Sequence, residues 1–149
     1  VAAQSGHRFI YRGNDVTTTG NPMTHVILRG GVDKYGTSIP NYHYEDCVRL
    51  YRLYEERQLK NPAAVVDVNH SNSDKQYKEQ IRIVGEVLHT RRTHSELHRL
   101  IKGVMIESYL KEGRQNVSSH MEYGCSITDP CIGWEDTEYL VQKIAEECI

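Results

Sequence analysis

A β-branched apolar run that turns polar at its end restricts the folds open to this chain. The segment AAVVDVNHSNSDK, from Ala63 to Lys75, begins with residues typical of a buried parallel strand. Asp67, Asn69 and His70 then follow within a few positions. A buried charge is costly unless it is paired or binds a metal. These polar residues are therefore either satisfied by hydrogen bonds or face a site at the end of the strand.

The rest of the chain alternates apolar strands with amphipathic helices. Strands are predicted over residues 7–13, 25–31, 63–68, 102–108 and 125–133. Helices are predicted over 41–58, from about residue 77 to 88, over 93–100 and over 134–148. The turn-rich segment 13–22 indicates an irregular excursion or a hairpin, and the polar segment 110–124 a long functional loop. A strand-then-helix rhythm is typical of an α/β fold with a parallel sheet.

The helices have further sequence patterns at their starts and along the last helix. Two capping boxes are predicted, Ser73 with Gln76 and Thr93 with Glu96. The buried side of the last helix is predicted to hold Thr137, Leu140, Val141, Ile144 and Cys148, and Trp134 at its start is predicted to pack.

Composition excludes several classes of function. A length of 149 residues is that of one domain, and a net charge of −2 gives no basis for nucleic-acid binding. No apolar run reaches the roughly 20 residues that span a bilayer. The sequence starts at Val1 with neither a Met nor a signal pattern, so we expect a truncation, a processed product or a fragment.

The four cysteines lack the spacing of a zinc site. None of Cys47, Cys125, Cys131 and Cys148 forms a C-x-x-C pair. We therefore expect reduced thiols, as in a cytoplasmic protein.

Polar residues close four of the predicted strands. Arg29 ends HVILR, His70 follows VVDVN, Glu107 ends GVMIE and Asp129 ends SIT. Parallel α/β folds place their sites at the carboxyl ends of strands. One imidazole with two carboxylates suits Mn²⁺, Fe²⁺, Co²⁺ or Zn²⁺, and the Arg29 guanidinium has the geometry to hold a phosphate.

Each of these residues alone has a simpler explanation, because a single histidine at a strand end is more often structural than a metal ligand. The coincidence at four strands is what favours a site. His94 and His98, four residues apart around Glu96, also have a ligand-like spacing. Arginines surround them, so a solvated helix face is the better interpretation. No P-loop, nucleophile elbow or G-x-G-x-x-G is present.

Four motifs then resemble one known family. GNPMTHVILRGG, VVDVNHSNSDKQ, GVMIESYLKEG and YGCSITDPCIGWEDTEYLV are similar, in order, to motifs of type I DAHP synthase, phospho-2-dehydro-3-deoxyheptonate aldolase. That enzyme begins the shikimate pathway of aromatic amino acid and chorismate biosynthesis. The family fold is a (β/α)₈ TIM barrel. The resemblance implies that residues 1–149 are the C-terminal half of that barrel, strands five to eight with their helices, and that the N-terminal half is absent.

The resemblance also assigns roles to residues. It implies that His70, Glu107 and Asp129 bind a divalent metal and that Arg29 holds the phosphate of phosphoenolpyruvate. Asp67 and Lys75 lie in the motif of His70 and are given supporting roles in catalysis. The family's fourth metal ligand is a cysteine of the N-terminal half, and none of the four cysteines here stands in its place.

The implied reaction condenses phosphoenolpyruvate with D-erythrose 4-phosphate to give 3-deoxy-D-arabino-heptulosonate 7-phosphate and phosphate. We expect the isolated chain to be inactive, and to pair with an N-terminal half or with itself, or to be part of a longer polypeptide. Two alternatives stay open: a non-catalytic half-barrel that serves as an assembly partner, and a metal-dependent aldolase or hydrolase on a related barrel. We expect neither nucleic-acid nor membrane partners.

Overall fold

The computed structural model describes residues 2–148, with the side chain of Cys148 outside the described residues. The strands are β1 (Arg8–Tyr11), β2 (Asn14–Thr17), β3 (Val26–Leu28), β4 (Gly31–Val32), β5 (Ser38–Ile39), β6 (Ala64–Asp67) and β7 (Ile101–Met105). The helices are α1 (Tyr44–Glu56), α2 (Glu79–Thr93), α3 (Ser95–Leu100) and α4 (Trp134–Cys148). Short 3-10 turns cover Ala2–Gln4 and His70–Asn72.

A three-stranded parallel sheet lies at the centre of the fold, in the order β3-β6-β7. Ile27 pairs with Val65, and Asp67 at the end of β6 pairs with Met105 at the end of β7. The carboxyl ends of all three strands therefore lie at one edge. The prediction of an α/β fold with a parallel sheet is confirmed. The hairpins β1-β2 and β4-β5 are separate antiparallel pairs.

The helices cover one face of this sheet. Strand alternation directs Ala64, Val66 and Leu28 toward the helices, where they are buried. The core also contains the inner faces of α1, α2, α3 and α4, with these buried residues among others: Cys47, Leu50, Tyr54, Ile83, Val84, Val87, Leu97, Leu100 and Leu140. On the opposite face of the sheet, Ile27 and Met105 are 44% and 41% exposed.

The predicted strand over 125–133 is wrong. This segment forms only isolated bridges, in which Ser126, Cys131 and Ile132 pair with separate positions between 108 and 114. Pro130 has no backbone N–H to contribute to a ladder, and the Thr128 N–H is taken by the Ser126 hydroxyl. Residues 2–148 thus contain no closed barrel, and the half-barrel stays a prediction.

Both predicted capping boxes are also wrong. Helix α2 begins later than its box, after Lys78, and the Ser73 hydroxyl donates instead to Asn69 Oδ1 at 2.8 Å. Helix α3 begins after His94, and the Thr93 hydroxyl donates to the His89 carbonyl of the preceding helix. In each case the side-chain oxygen finds a nearer partner than the helix N-terminus.

Helix α4 buries a narrower stripe than its sequence predicts. Leu140 is fully buried and Ile144 packs against the core, but Val141 is 57% and Trp134 59% exposed, so the predictions for these last two residues are wrong. Among the helices, α4 has its main contact with α2. Because α2 covers only one side of α4, the other side stays exposed. The prediction for Cys148 falls on a side chain outside the described residues.

Candidate metal centre

Three predicted ligands converge at the carboxyl edge of the sheet. One ligand atom each of His70, Glu107 and Asp129 lies within 4.8 Å of the others. His70 Nε2 is 3.7 Å from Glu107 Oε1 and 3.6 Å from Asp129 Oδ2. All three residues are half-buried, so the cluster is open to solvent on one side. Among the side chains that the structure describes, no other group of three His, Cys, Asp or Glu residues is this close.

A buried carboxylate orients the histidine. Asp67 is 1% exposed, and its Oδ2 lies 2.7 Å from His70 Nδ1. Its Oδ1 accepts the Asn69 N–H at 3.0 Å. When Nδ1 donates to Asp67, Nε2 presents its lone pair toward Glu107 and Asp129. This assignment of the tautomer follows from the hydrogen-bond network.

The backbone at the site adopts an unusual conformation. His70, Asp74 and Lys75 have φ values of +42°, +52° and +59°, in the left-handed region that costs non-glycine residues about 1 to 3 kcal/mol each. A hydrogen bond of 2.8 Å from the Lys75 N–H to the His70 carbonyl closes this loop. These left-handed residues lie between β6 and α2, at the start of the short 3-10 turn His70–Asn72 and just after it.

Two cationic side chains flank the cluster. Arg29 Nε lies 3.8 Å from Asp67 Oδ2, and Lys75 Nζ lies 3.8 Å from Asp129 Oδ1. Both side chains are more than half exposed, so their remaining N–H donors face solvent. Gly30, which follows Arg29, lets the chain after β3 lie close to the loop that contains Ser71. Its φ is +72°, and a Cβ there would lie 2.8 Å from Ser71 Cβ.

Three buried carboxamides support the site: Asn69, Asn72 and Gln80. The sequence marked Asn69 only as a polar residue after the strand, and it gave no supporting role to any of the three. Asn72 donates to the Leu28 carbonyl at 3.0 Å and to the Asp67 carbonyl at 2.7 Å, which joins the ends of β3 and β6. Its Oδ1 accepts the Asn41 N–H at 2.8 Å. What the sequence does show is a carboxamide close to apolar residues or at the end of a strand. A carboxamide that is buried there needs a hydrogen-bond partner.

The described cysteines do not join the cluster. Cys47, Cys125 and Cys131 are free, and Cys47 and Cys131 are buried while Cys125 is half-buried. Burial raises the pKa of the Cys47 thiol to about 11, and burial also raises the pKa of Cys131. The Cys131 thiol contacts the backbone carbonyl of Asp129 at 3.3 Å, not its carboxylate.

The donor set fits a divalent transition-metal ion. An imidazole nitrogen and carboxylate oxygens that lie within 4.8 Å of one another are a mixed N/O donor set of the kind that divalent transition ions bind. The buried carboxylate behind the histidine is the usual outer partner of a metal-bound imidazole.

No described helix is both long and apolar enough to cross a bilayer.

The sequence matches the DAHP synthetase I family over residues 2–142. It is 39% identical, over 97% of its length, to the Trp-sensitive phospho-2-dehydro-3-deoxyheptonate aldolase of Escherichia coli K12. It is 43% identical, over 90% of its length, to phospho-2-dehydro-3-deoxyheptonate aldolase of Haemophilus influenzae.

A solved structure has the same fold. The phospho-2-dehydro-3-deoxyheptonate aldolase from Francisella tularensis SCHU S4 superposes with a TM-score of 0.78 over 98% of this chain, at 30% identity. The chain covers 42% of that structure, 40% of the E. coli relative and 35% of the H. influenzae relative. It therefore spans about two fifths of the length of the proteins it resembles.

Proposed function

The chain belongs to the DAHP synthetase I family, and from this premise we propose that it is the C-terminal part of a metal-dependent transferase that condenses phosphoenolpyruvate with D-erythrose 4-phosphate. The products are 3-deoxy-D-arabino-heptulosonate 7-phosphate and phosphate. Similarity along nearly the whole chain to enzymes named for this activity supports the proposal. The observation that carries it is the convergence of His70, Glu107 and Asp129 within 4.8 Å.

The residues of the cluster divide the work. His70, Glu107 and Asp129 hold the metal, which we propose to be Mn²⁺, Fe²⁺, Co²⁺ or Zn²⁺ and which supplies Lewis acidity when bound. Asp67 holds the His70 ring so that Nε2 faces the two carboxylates. Lys75 lies beside Asp129, where its ammonium can meet a substrate phosphate.

Arg29 supplies the anion contact. Its guanidinium presents a planar fork of donors on the solvent side of Asp67, which suits the phosphate of phosphoenolpyruvate. In the reaction, the enol carbon attacks the aldehyde, water adds at C2 and phosphate leaves by C–O cleavage. Arg29 favours this last step because negative charge grows on the departing group.

The chain forms, in this proposal, the half of a (β/α)₈ barrel that contains strands five to eight. Coverage of about two fifths of its relatives supports this, as does a parallel sheet with one face covered by helices and the other exposed at Ile27 and Met105. The occupant of that exposed face is an N-terminal half-barrel, supplied by the same or another polypeptide. We place the reaction in the cytoplasm, where thiols such as Cys47 stay reduced.

A complementation assay tests the proposal. The chain is mixed with a polypeptide that comprises the N-terminal three fifths of the E. coli relative, with Mn²⁺, and phosphate release from phosphoenolpyruvate is measured with and without erythrose 4-phosphate. We expect release only with both polypeptides and both substrates, and none with His70→Ala. Glu138→Gln, on the exposed side of α4, is the matched control and should retain full activity.

Other outcomes identify the alternatives. A complex that forms without turnover supports the non-catalytic assembly partner. Turnover with other aldehydes but not erythrose 4-phosphate supports a related aldolase. Full activity of the 149-residue chain as a monomer would contradict the half-barrel.

A further inference from the structure

One buried glutamine contacts the candidate metal ligand Glu107 through both of its side-chain polar atoms. Gln80 lies in the first turn of α2 and is fully buried. Its Nε2 donates to the Glu107 carbonyl at 3.1 Å, and its Oε1 accepts the Glu107 N–H at 2.9 Å. A side-chain amide that satisfies the N–H and C=O of one residue replaces a neighbouring strand at that position.

The replacement is needed because Glu107 lies beyond the sheet. Strand β7 ends at Met105, whose carbonyl accepts the N–H of Val68, the residue after β6, at 3.0 Å. The Glu107 carbonyl also accepts the Ile132 N–H at 3.0 Å, three residues after Asp129. The Glu107 backbone therefore joins α2, the end of β7 and the segment that carries Asp129.

The Glu107 carboxylate has little else to place it. Among the described residues, the carboxylate oxygens of Glu107 accept no hydrogen bond, and His70 Nε2 lies 3.7 Å from Oε1. The backbone contacts of Glu107 therefore fix the point from which its carboxylate extends toward His70. We infer that Gln80 is a positioning residue that fixes Glu107, and through Ile132 also Asp129, in the geometry that binds the metal. This inference rests on the proposed metal site and adds a residue to it.

The test compares two buried glutamines. Gln80→Met removes both hydrogen bonds with little change in volume. Gln4→Met is the matched control, since Gln4 is also buried and donates to the Thr24 and Asn61 carbonyls at the other end of the sheet. The probe is Co²⁺ alone, titrated into the whole chain and followed by its visible absorption, with thermal unfolding of the metal-free proteins measured in parallel.

We expect Gln80→Met to raise the Kd for Co²⁺ by about 10- to 100-fold, the usual effect of losing an outer-shell contact. Gln4→Met should lower the melting temperature yet leave the Kd within about twofold. In a Glu107→Ala background, Gln80→Met should have less than a third of its effect on the Kd, because the residue it positions has lost its carboxylate.

The outcomes separate the two claims. If His70→Ala abolishes Co²⁺ binding but Gln80→Met matches Gln4→Met, or acts equally with and without the Glu107 carboxylate, the role of Gln80 is refuted and the metal site stands. If the unsubstituted chain shows no Co²⁺ band at millimolar metal, both claims fail.

Discussion

Asp67 is nearly inaccessible to solvent, yet it makes three polar contacts. It accepts from His70 Nδ1 and from the Asn69 N–H, and Arg29 Nε lies 3.8 Å from it. A buried carboxylate with these neighbours links the proposed metal ligand to the proposed phosphate ligand. Its charge therefore matters for the tautomer of His70 as well as for the position of Arg29.

Asp67→Asn tests this link at the level of one charge. The substitution keeps the shape but removes the acceptor charge that holds Nδ1–H, so we expect about 10- to 100-fold weaker Co²⁺ binding. Circular dichroism should show the same secondary structure. Glu138→Gln removes an exposed carboxylate from α4 and should leave Co²⁺ binding unchanged. Equal affinity for Asp67→Asn and the unsubstituted chain would show that Asp67 does not orient the histidine.

The burial of Cys47 gives a prediction about the reactivity of its thiol. Burial disfavours the thiolate and raises the pKa to about 11, so the thiol stays protonated at pH 8. We expect iodoacetamide to label Cys125 at pH 8 while Cys47 stays unlabelled, as read by peptide mass mapping. In 8 M urea both should react at similar rates. Rapid labelling of Cys47 in the folded chain would contradict its burial.

At the scale of elements, the sequence predicted helices and strands best where the spacing of apolar residues matches the face that is buried. The run from Ala63 to Val68 contains β6, with Ala64 and Val66 buried against the helices, and the apolar stripe of α1 meets the core as its spacing indicates. Both elements pack against other parts of this chain, so their apolar faces are buried as the sequence pattern requires. The candidate ligands were predicted because polar residues at strand ends are conspicuous beside apolar runs.

Prediction failed where distant contacts decide the structure. Residues 125–133 have a strand-like composition, but Cys131 and Ile132 are held by single bridges to the 108–114 segment. Gln80 was missed because one polar residue on a helix gives no indication of which backbone it reaches. Val141 was placed wrongly because helical period alone does not say how wide the covering neighbour is.

Tyr54 joins α1 to the start of β6 and gives an element-scale prediction. Its hydroxyl donates to the Ala63 carbonyl at 3.0 Å, and burial raises its pKa. Tyr54→Phe should lower the free energy of unfolding by about 1 kcal/mol at pH 7, measured by urea denaturation.

The pH dependence has a defined sign. Because the folded-state pKa of Tyr54 is above the unfolded value of about 10, the stabilisation is complete below that pH and is lost as pH rises through the folded-state pKa. The difference in stability between Tyr54→Phe and the unsubstituted chain should therefore shrink above pH 10. A constant difference across that range would contradict the assignment.

Helix α4 offers a pair of adjacent substitutions. Leu140 is fully buried, so Leu140→Ala should cost about 2 to 5 kcal/mol in urea denaturation. Val141 is mostly exposed, and Val141→Ala should change the stability of the isolated chain by less than about 0.5 kcal/mol. Comparable losses for the two would mean that α4 lies in a different rotation.

At the scale of the whole molecule, the sheet has an uncovered face. Ile27 and Met105 lie on the side away from the helices, and β3 and β7 are edge strands of the described sheet. An exposed apolar sheet face with free edges is a surface for further association. The proposed N-terminal half-barrel accounts for both features, since closure would pair the edges and bury the face.

Substitution of this face separates stability from assembly. Ile27→Thr combined with Met105→Thr puts polar groups on a surface that is already partly exposed, so we expect a change of less than about 1 kcal/mol in the stability of the isolated chain. Full burial of such a side chain is worth about 1.5 to 3 kcal/mol, and about two fifths of each is still exposed, so a partner gains about 1 to 2.5 kcal/mol from the two together. The same variant should therefore bind the N-terminal polypeptide about tenfold more weakly. Val32→Thr, on the exposed β4-β5 hairpin, is the matched control and should bind normally. If sedimentation velocity shows equal binding for both variants, the partner docks elsewhere and the sheet face is not the inner wall of a barrel.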